Sequence, residues 1–339
     1  MKKFLSKDWL ARKIARTMLL IKATTFKKLN EEPYKWACGM MMRIYNDNRM
    51  MLGNYMHRMR VAKGFVDLIY WKKIKPDFII GTMTSGIAPA TSVAQLMKKK
   101  LLVHNEEVYL VYNSQLWDKD YVKNLKSYSP DLIIASSSTT IPIGVQYANE
   151  LKVGFAYVRK ETKDHGKKQQ IEGIVKSGMK FVLVTGSETP EESNLLMRRL
   201  EKEFHIFCVD LFEAESPEVF TQDFRGKKAV VIEDLLSTGG SGAYEVFKAQ
   251  SEGLTCNYCL SIFSYGFKCL KEQFLGKTNI SNKEIRLSEP CEIDSLLTFS
   301  VLMEEIKRLK FYPKETIRAM GAENATFDER YEEFLSEKK

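Results

Sequence analysis

The sequence has few cysteines and no long hydrophobic run near its start, and both shortages limit the class of protein. Six cysteines are scattered through 339 residues without a recognisable secretory signal. This predicts reduced thiols in a cytoplasmic protein. The apolar run Met18–Ile21 is far too short for a signal peptide or a membrane span. Cys256 and Cys259 have metal-like spacing but no second pair, so we interpret them as strand residues and expect no metal bound by protein side chains alone.

The charge balance is basic, with a formal net charge of +9. Such a balance favours polyanionic partners, namely nucleic acid, an anionic membrane or a phosphorylated small molecule. The lysines are scattered rather than arranged in a stripe. We therefore favour a solvated surface with one phosphate site, and expect no nucleic-acid or membrane partner.

Strand-like and helix-like segments alternate through the middle of the chain, which predicts an α/β fold with a mostly parallel sheet flanked by helices. Helices are predicted around Trp9–Leu19, Tyr55–Lys72 and Ala243–Gln250, and in the C-terminal stretches Ile293–Leu309 and Lys314–Met320. The strands are predicted at Asp77–Ile80, Val108–Tyr112, Asp131–Ala135, Val153–Val158, Phe181–Thr185, Ile206–Val209, Ala229–Glu233 and Asn257–Phe263. We expect an N-terminal helical region at 1–73, a core at 74–275, and a C-terminal helical region at 276–339 with a frayed tail.

Two pairs of segments resemble each other. Pro76–Ile80 matches Pro130–Ile134 at an offset of 54 residues (130 minus 76), and Gly178–Val184 matches Gly226–Ile232 at an offset of 48 (226 minus 178). The repeats would be interleaved, 76–112 with 130–158 and 178–212 with 226–263, and so predict an enlarged or internally duplicated sheet. Chance similarity between buried strands is the alternative.

The stretch Val230–Ser241 joins an apolar run to the adjacent carboxylates Glu233 and Asp234 and then to a turn of small and hydroxylated residues. Small residues let backbone N–H groups approach an anion, and a following helix adds partial positive charge. No Gly-Lys-Ser/Thr follows, so this is not a Walker loop. The carboxylates would repel a phosphate but suit sugar hydroxyls or Mg²⁺. A ribose phosphate is a ligand that fits both features.

A second stretch runs from a predicted strand into a loop with four basic side chains, Arg159, Lys160, Lys163 and His165. Arginine can bind phosphate with two parallel hydrogen bonds, lysine supplies a point charge, and histidine can donate as an imidazolium ion. The composition of this loop suits a pyrophosphate leaving group. The alternative for the loop alone is a solvated charged surface.

Together these motifs resemble orotate phosphoribosyltransferases of the type I phosphoribosyltransferase family, over about residues 10–310 and with two atypical insertions. The similar segments are the catalytic-loop stretch Tyr157–Gly166 with Ile171–Gly173, the ribose-phosphate turn Val230–Ser241, the strand Ile262–Phe267, the base-binding pieces Trp36–Gly39 and Ile44–Arg49, and the pyrophosphate turn Gly81–Ile87. Cys38 stands where serine is usual, and Met42-Arg43 stands where Ser-Pro is usual.

The resemblance implies an enzyme, a pentosyltransferase of pyrimidine (UMP) biosynthesis. It would transfer 5-phosphoribosyl from 5-phosphoribosyl 1-diphosphate to orotate, giving orotidine 5′-monophosphate and diphosphate with Mg²⁺. It also implies an N-terminal hood and a homodimer whose catalytic loop reaches the neighbouring subunit's site. The implied catalytic residues are Lys163, Arg159, His165 and Asp234. Those implied to bind the diphosphate substrate are Arg159, Lys160, Lys163, His165, Glu233, Asp234, Leu235, Leu236, Ser237, Thr238, Gly239, Gly240 and Ser241, and those implied to bind orotate are Ser237, Tyr45 and Arg49.

Several alternatives stay open at this stage. Either of two turns, 81–87 or 136–141, could bind the diphosphate; sequence similarity favours the first and chain order the second. Another acceptor base is conceivable, although the basic loop speaks for orotate. A nucleic-acid-binding regulator that senses the diphosphate would also fit the positive charge, but such a protein would not need the basic loop. One repeat lacks the acidic pair, and we expect it to be inactive.

Overall fold

Two β-sheets form the framework of the computed structural model. It describes residues 6–337 apart from 29, 37, 106–107, 160–170, 222, 276 and 281–282, and it also leaves aside the side chains of 277–280 and 283–284. The helices are α1 (Lys7–Leu20), α2 (Tyr55–Trp71), α3 (Ile87–Met97), α4 (Lys119–Tyr128), α5 (Ile141–Leu151), α6 (Pro190–Phe204), α7 (Gly240–Ser251), α8 (Lys268–Gln273), α9 (Phe299–Leu309), α10 (Lys314–Ala325) and α11 (Phe327–Ser336), with a 3-10 helix at Asn48–Gly53.

Short hairpins accompany the strands of the two main sheets. The strands are β1 (Thr24–Phe26), β2 (Tyr34–Lys35), β3 (Met41–Met42), β4 (Ile44–Asn46), β5 (Phe78–Gly81), β6 (Lys100–Asn105), β7 (Val108–Tyr112), β8 (Leu132–Ala135), β9 (Gly154–Val158), β10 (Ile171–Gly173), β11 (Lys180–Thr185), β12 (Phe207–Glu213), β13 (Glu218–Val219), β14 (Ala229–Leu236), β15 (Tyr258–Ser264), β16 (Lys277–Ile280), β17 (Lys283–Arg286) and β18 (Glu292–Thr298).

The larger sheet has the strand order β13-β7-β6-β5-β14-β15-β18, and the smaller one has the order β10-β9-β8-β11-β12. In the larger sheet, β6, β5, β14, β15 and β18 are parallel, while β7 and β13 run antiparallel to their neighbours. In the smaller sheet only β10 is antiparallel. The predicted α/β fold class, a mostly parallel sheet flanked by helices, is confirmed.

The smaller sheet is joined to the rest of the molecule by one of its faces. Successive strand residues point to opposite faces, so alternate residues enter different environments. Ile133, Tyr157 and Val182 pack into the large core that also contains the larger sheet. Ile134 and Phe181 pack instead in a separate cluster with Leu200 of α6. One face of the smaller sheet is therefore continuous with the core of the larger sheet.

Helices and aromatic side chains from both ends of the chain cover the larger sheet. Trp36 of the N-terminal region packs against Tyr265 and Phe327, with ring centroids 4.6 and 5.9 Å away. Helix α1 docks on α9 through the buried carboxylate of Glu305, which binds Arg12 and Arg16. The two termini thus close over the edge of the sheet that carries β15 and β18.

One predicted helix is wrong in part. The stretch Ile293–Leu309 was expected to be helical, but Glu292–Thr298 is the strand β18 and the helix begins at Phe299. The strand is held beside β15 by parallel pairing and by the hydrogen bond between the hydroxyls of Ser261 and Ser295, 2.7 Å apart. These partners lie far away in sequence, so local apolar spacing could not indicate them.

The expected strands correspond to β5, β7, β8, β9, β11, β12, β14 and β15, with shifted ends. The helices expected in the N-terminal region correspond to α1 and α2. The division of the chain at residues 73 and 275 stays a prediction. Across the described parts of the chain, no helix combines the length and the apolar character that crossing a membrane requires.

Candidate active site

The turn between β14 and α7 forms an open cradle of backbone amides. Strand β14 ends at Leu236, Gly239 has a φ of +88°, and α7 begins at Gly240. Within the described residues, the amides of residues 237–241 have no hydrogen-bond acceptor. A Cβ placed on Gly240 would meet no atom within 4 Å. The N-terminus of a twelve-residue helix with free amides and open space in front of it suits a phosphate group.

The buried carboxyl of Glu233 holds the turn between β14 and α7 in place through hydrogen bonds. Its carboxylate is only 3% exposed and accepts hydrogen bonds from the amide of Asp234 at 2.9 Å and the hydroxyl of Ser241 at 3.1 Å. Burial, together with the neighbouring charge of Asp234, raises the pKa of the Glu233 carboxyl well above its usual range. The buried carboxyl therefore ties the end of the strand to the start of α7.

Asp234 is the member of the acidic pair that remains partly exposed. Its carboxylate accepts a hydrogen bond from the hydroxyl of Ser85 at 2.8 Å, and its backbone carbonyl accepts one from the side-chain amide of Asn48 at 2.6 Å. The amide of Thr82 donates to the carbonyl of Ile232 at 3.2 Å. The turn 81–87 thus lies directly beside the acidic pair.

The turn 136–141 occupies the corresponding place in the smaller sheet. There the hydroxyl of Ser136 and the amide of Gly186 donate to the two carboxylate oxygens of Glu188, both at 2.6 Å. A cavity of about 110 Å³ next to them is lined by Thr139, Thr140, Gly186, Ser187, Glu215, Ser216 and Pro217. The carboxylate of Glu188 therefore occupies the hydroxyl of Ser136 in this turn and the amide of Gly186 beside it.

A network of buried charges lies between the two sheets. Arg49 contacts Asp47 through Nε and Glu172 through Nη1, both at 2.7 Å, and it donates to the hydroxyl of Tyr45 at 3.1 Å. The same carboxylate oxygen of Glu172 receives Nε of Arg159 at 2.8 Å. Glu172 therefore holds two guanidinium groups at once, and neutral side chains could not replace its charge there.

Tyr157 belongs to the same neighbourhood. Its ring is buried, and its hydroxyl has no hydrogen-bond partner in the described part of the chain. Burial first, and then the negative charge of Glu172, raises the pKa of Tyr157; Arg49, Arg159 and Asp234 also act on it. Charges from both sheets therefore meet around this hydroxyl.

The structure brings most of the predicted site residues together. Glu233, Asp234 and residues 235–241 lie along one strand end and turn, and Tyr45, Arg49 and Arg159 belong to the adjoining charge network. Lys160, Lys163 and His165 lie outside the described residues. Asp47, Asn48, Ser85 and Glu172 were not predicted as site residues. Glu172 stood within the family-like Ile171–Gly173, but its partner Arg49 is 123 residues away.

The described residues contain no group of three or more His, Cys, Asp or Glu side chains that could hold a metal ion. Cys256 and Cys259 are both buried free thiols on or beside β15. Burial raises the pKa of each thiol well above its usual range. Cys259 is a residue of the strand β15, as interpreted, whereas Cys256 lies two residues before the strand begins.

Comparison with known proteins supports the class that the sheet order and the turn suggest. No family profile matches the chain. The orotate phosphoribosyltransferase of Fusobacterium nucleatum subsp. nucleatum is 26% identical over 267 residues, covering 79% of this chain and 78% of the relative. That of Streptococcus mutans serotype c is 27% identical over 256 residues, covering 76% and 73%. The solved orotate phosphoribosyltransferase of Aeropyrum pernix gives a TM-score of 0.44 at 12% identity, covering 87% of this chain and 99% of that one.

The chain has an α/β fold of the class expected for type I phosphoribosyltransferases, a mostly parallel seven-stranded sheet flanked by helices, and it carries a second sheet of five strands. Within that class it is similar to orotate phosphoribosyltransferases over about four fifths of its length. The resemblance read from the sequence motifs is confirmed.

Proposed function

We propose that the chain is an orotate phosphoribosyltransferase, which transfers 5-phosphoribosyl from 5-phosphoribosyl 1-diphosphate to orotate in pyrimidine biosynthesis. The observation that carries the proposal is the open amide cradle at 237–241, with Asp234 beside it and Arg159 in the adjoining network. The curated relatives carry the same activity in their names.

In the proposed complex the amides of residues 237–241, with the hydroxyls of Ser237 and Thr238, bind the 5-phosphate, and Ser241 contributes its amide because its hydroxyl donates to Glu233. The partly exposed carboxylate of Asp234 faces the ribose hydroxyls. Glu233 supports the site from within the protein, because both of its carboxylate oxygens already accept hydrogen bonds that hold the turn. Leu235 and Leu236 contribute backbone rather than charge to this part of the site.

Breaking the bond between C1 and the departing oxygen builds positive charge on the ribose ring and negative charge on the diphosphate. As in glycoside chemistry, the transition state is oxocarbenium-like. We propose that Arg159, Lys160, Lys163 and His165 stabilise the leaving diphosphate, since donors placed where charge develops lower the barrier most. Asp234 stabilises the cationic ring from the other side.

The turn 81–87 is the better candidate for the diphosphate. It contacts Asp234 through Ser85 and so lies at the same strand ends as the amide cradle, whereas the turn 136–141 lies in the smaller sheet beside Glu188. This choice follows the sequence similarity rather than the chain order.

Orotate is proposed to lie between Ser237 and the Tyr45–Arg49 segment. Arg49 uses three of its five donors on Asp47, Glu172 and Tyr45. The remaining donors are available for the carboxylate or carbonyl oxygens of the base. The departures at Cys38 and Met42-Arg43 come shortly before this segment in the sequence.

Mg²⁺ is the proposed metal, and the donor set fits an ion carried by the substrate. Hard cations prefer oxygen ligands and often keep phosphate oxygens and water. Asp234 is partly exposed, while Glu233 is buried and already hydrogen-bonded. When bound, the ion would neutralise diphosphate charge, and Asp234 is the residue placed to share it. A homodimer remains a prediction from the resemblance, and a cytoplasmic location remains a prediction from the cysteine usage.

The proposed function is tested by supplying the purified chain with Mg²⁺, 5-phosphoribosyl 1-diphosphate and one base at a time. We expect consumption of orotate, seen as falling ultraviolet absorbance, and none of hypoxanthine or uracil. Turnover of another base with none of orotate would contradict the proposal. Salt-sensitive nucleic-acid binding without any turnover would favour a regulator instead.

The basic loop is tested separately. We expect Lys163→Ala to lower turnover at least about tenfold, equivalent to about 1.4 kcal/mol of transition-state stabilisation, because the lysine charge opposes that of the leaving group. Lys167→Ala, just beyond the motif, is the matched control and should change turnover little. An unchanged rate for Lys163→Ala would remove this lysine from the mechanism.

A further inference from the structure

The two sheets repeat the same local structure at the offsets seen in the sequence. We call residues 76–112 with 226–264 unit 1, and residues 130–159 with 171–213 unit 2. In unit 1, Phe78 pairs with Lys100 and Ala229. In unit 2, Leu132 pairs with Gly154 and Phe181, the positions shifted by 54 and 48 residues. The strand order β7-β6-β5-β14-β15 of unit 1 matches the order β10-β9-β8-β11-β12 of unit 2.

Side-chain contacts repeat as well. Asp77 accepts a hydrogen bond from the amide of Lys228 at 2.9 Å, and Asp131 accepts one from the amide of Lys180 at 2.9 Å. Each pair joins the start of one central strand to the start of the next. Chance similarity of buried strands would not reproduce these polar contacts, so the units are copies of one fold.

The two units pack together through equivalent helices, α3 of unit 1 and α5 of unit 2. The side-chain amide of Asn149 donates to Oε1 of Gln95 at 2.8 Å, and these residues are 54 positions apart (149 minus 95). Contacts between equivalent residues are characteristic of an interface around a two-fold axis. Units 1 and 2 are therefore arranged like the subunits of a symmetric dimer, within one chain.

The two units keep different parts of the chemistry. Unit 1 carries Glu233 and Asp234, whereas the positions 48 residues earlier in unit 2 are Thr185 and Gly186. Unit 2 carries Arg159, whereas the position 54 residues earlier in unit 1 is Asn105. Neither unit has both the acidic pair and the arginine.

The turn of unit 2 is also closed to an anion. Its helix α6 begins at Pro190, which has no N–H to offer, two positions before the equivalent of Gly240. The amide of Gly186 and the hydroxyl of Ser136 already donate to Glu188. A phosphate would have to displace this carboxylate and would meet its charge.

The separated parts meet across the interface of the units. Arg159 of unit 2 binds Glu172, which binds Arg49. The neighbouring residue Asn48 donates to the carbonyl of Asp234 in unit 1. The 3-10 helix that begins at Asn48 thus ties the arginine of unit 2 to the acidic pair of unit 1.

We propose that each chain holds one composite active site, to which unit 1 contributes Asp234 and the phosphate cradle and unit 2 contributes Arg159 and Glu172, while the equivalent position in unit 2 is closed by Glu188. The proposal rests on the proposed function for its ligand. The sharing between subunits that the resemblance implies would then occur inside one chain. Dimers through another surface remain compatible with it.

The test is complementation between two variants, Arg159→Ala and Asp234→Asn, co-expressed with different affinity tags and purified together or mixed after separate purification. A composite site within one chain predicts no activity beyond the sum of the single variants. If the two residues came from different chains, random pairing would leave one intact site in half of the dimers, so recovery to about a quarter of wild-type activity would overturn the proposal. Arg159→Lys, which keeps the charge against Glu172, serves as the second variant if Arg159→Ala fails to fold.

Calorimetric titration with 5-phosphoribosyl 1-diphosphate and Mg²⁺ gives a second readout that does not depend on turnover. We expect one molecule bound per wild-type chain, with the affinity lowered at least about tenfold by either variant, because both residues face one ligand. Binding of two molecules per chain would contradict the proposal that Glu188 closes the equivalent position in unit 2. One molecule bound without orotate turnover would contradict the proposed function while supporting the single composite site, and no binding at all would contradict both.

Discussion

At the scale of single residues, buried carboxylates hold several parts of the structure in place, each through a different set of partners. Glu172 holds Arg49 and Arg159, and Glu233 holds the turn through Ser241. Glu245 on α7 is buried and accepts a hydrogen bond from the hydroxyl of Tyr109 at 2.8 Å. Glu245 lacks a counter-ion as close as those of Glu172, so its ionisation is disfavoured in the folded chain.

Burial raises the pKa of Glu245 from 4.5 to about 7 in the folded protein. Below about pH 4.5 the group is protonated in both the folded and the unfolded chain, so it contributes no pH dependence. Between pH 4.5 and 7 the unfolded chain loses its proton first, and folding stability falls as pH rises. We expect the free energy of unfolding of Glu245→Gln to exceed that of wild type by about 3 kcal/mol at pH 8 and to match it near pH 4.

Denaturant unfolding of both proteins across that pH range measures the difference in free energy of unfolding. Glu252→Gln, at the exposed end of the same helix, is the matched control and should track wild type at every pH. A constant difference between Glu245→Gln and wild type from pH 4 to pH 8 would contradict the assigned ionisation.

At the scale of elements, two adjacent glycines in the turn between β14 and α7 serve different purposes, one in folding and the other in binding. Gly239 has a φ of +88°, and a Cβ there would lie 2.7 Å from the side chain of Leu270. A Cβ on Gly240, by contrast, would meet no atom within 4 Å. One glycine is required by the backbone and the other by the space for a ligand.

We expect Gly239→Ala to lower the free energy of unfolding by about 2 kcal/mol, because both its backbone angle and its neighbour oppose a side chain. Gly240→Ala should leave unfolding within about 0.5 kcal/mol of wild type but weaken binding of the diphosphate substrate, since its methyl group enters the cradle. Thermal melts and substrate titrations on the pair measure both effects. Equal affinity for the substrate in Gly240→Ala and wild type would place the phosphate elsewhere.

The docking of α1 on α9 depends on one carboxylate. Glu305 is buried and faces the partly exposed Arg12, Arg16 and Arg308. We expect Glu305→Gln to cost about 2 kcal/mol of stability, a value reduced from that of a fully buried pair because the arginines reach solvent. Glu304→Gln is the control, since Glu304 is 58% exposed and its carboxylate contacts Arg12 at the protein surface. Similar melting temperatures for the two variants would refute the role of Glu305.

At the scale of the whole molecule, the sequence was sufficient for the fold class and for the strand, turn and helix around residues 230–250. Both depend on local signals, namely buried β-branched runs and a turn rich in small residues. The assignment of strands to two sheets was not predictable, because the runs Phe78–Gly81 and Leu132–Ala135 are equally apolar and differ only in their distant partners. The ion pair of Arg49 with Glu172 was not predictable either, because the two residues are 123 positions apart in the sequence.

The proposed reaction takes place at one site, formed where the two sheets meet. Its most direct test is product analysis by mass spectrometry and phosphorus NMR after incubating the chain with orotate, 5-phosphoribosyl 1-diphosphate and Mg²⁺. We predict orotidine 5′-monophosphate and diphosphate in equal amounts, formed by wild type and lost in Asp234→Asn. Release of ribose 5-phosphate with orotate unchanged, or products that persist in Asp234→Asn at the wild-type rate, would contradict the account.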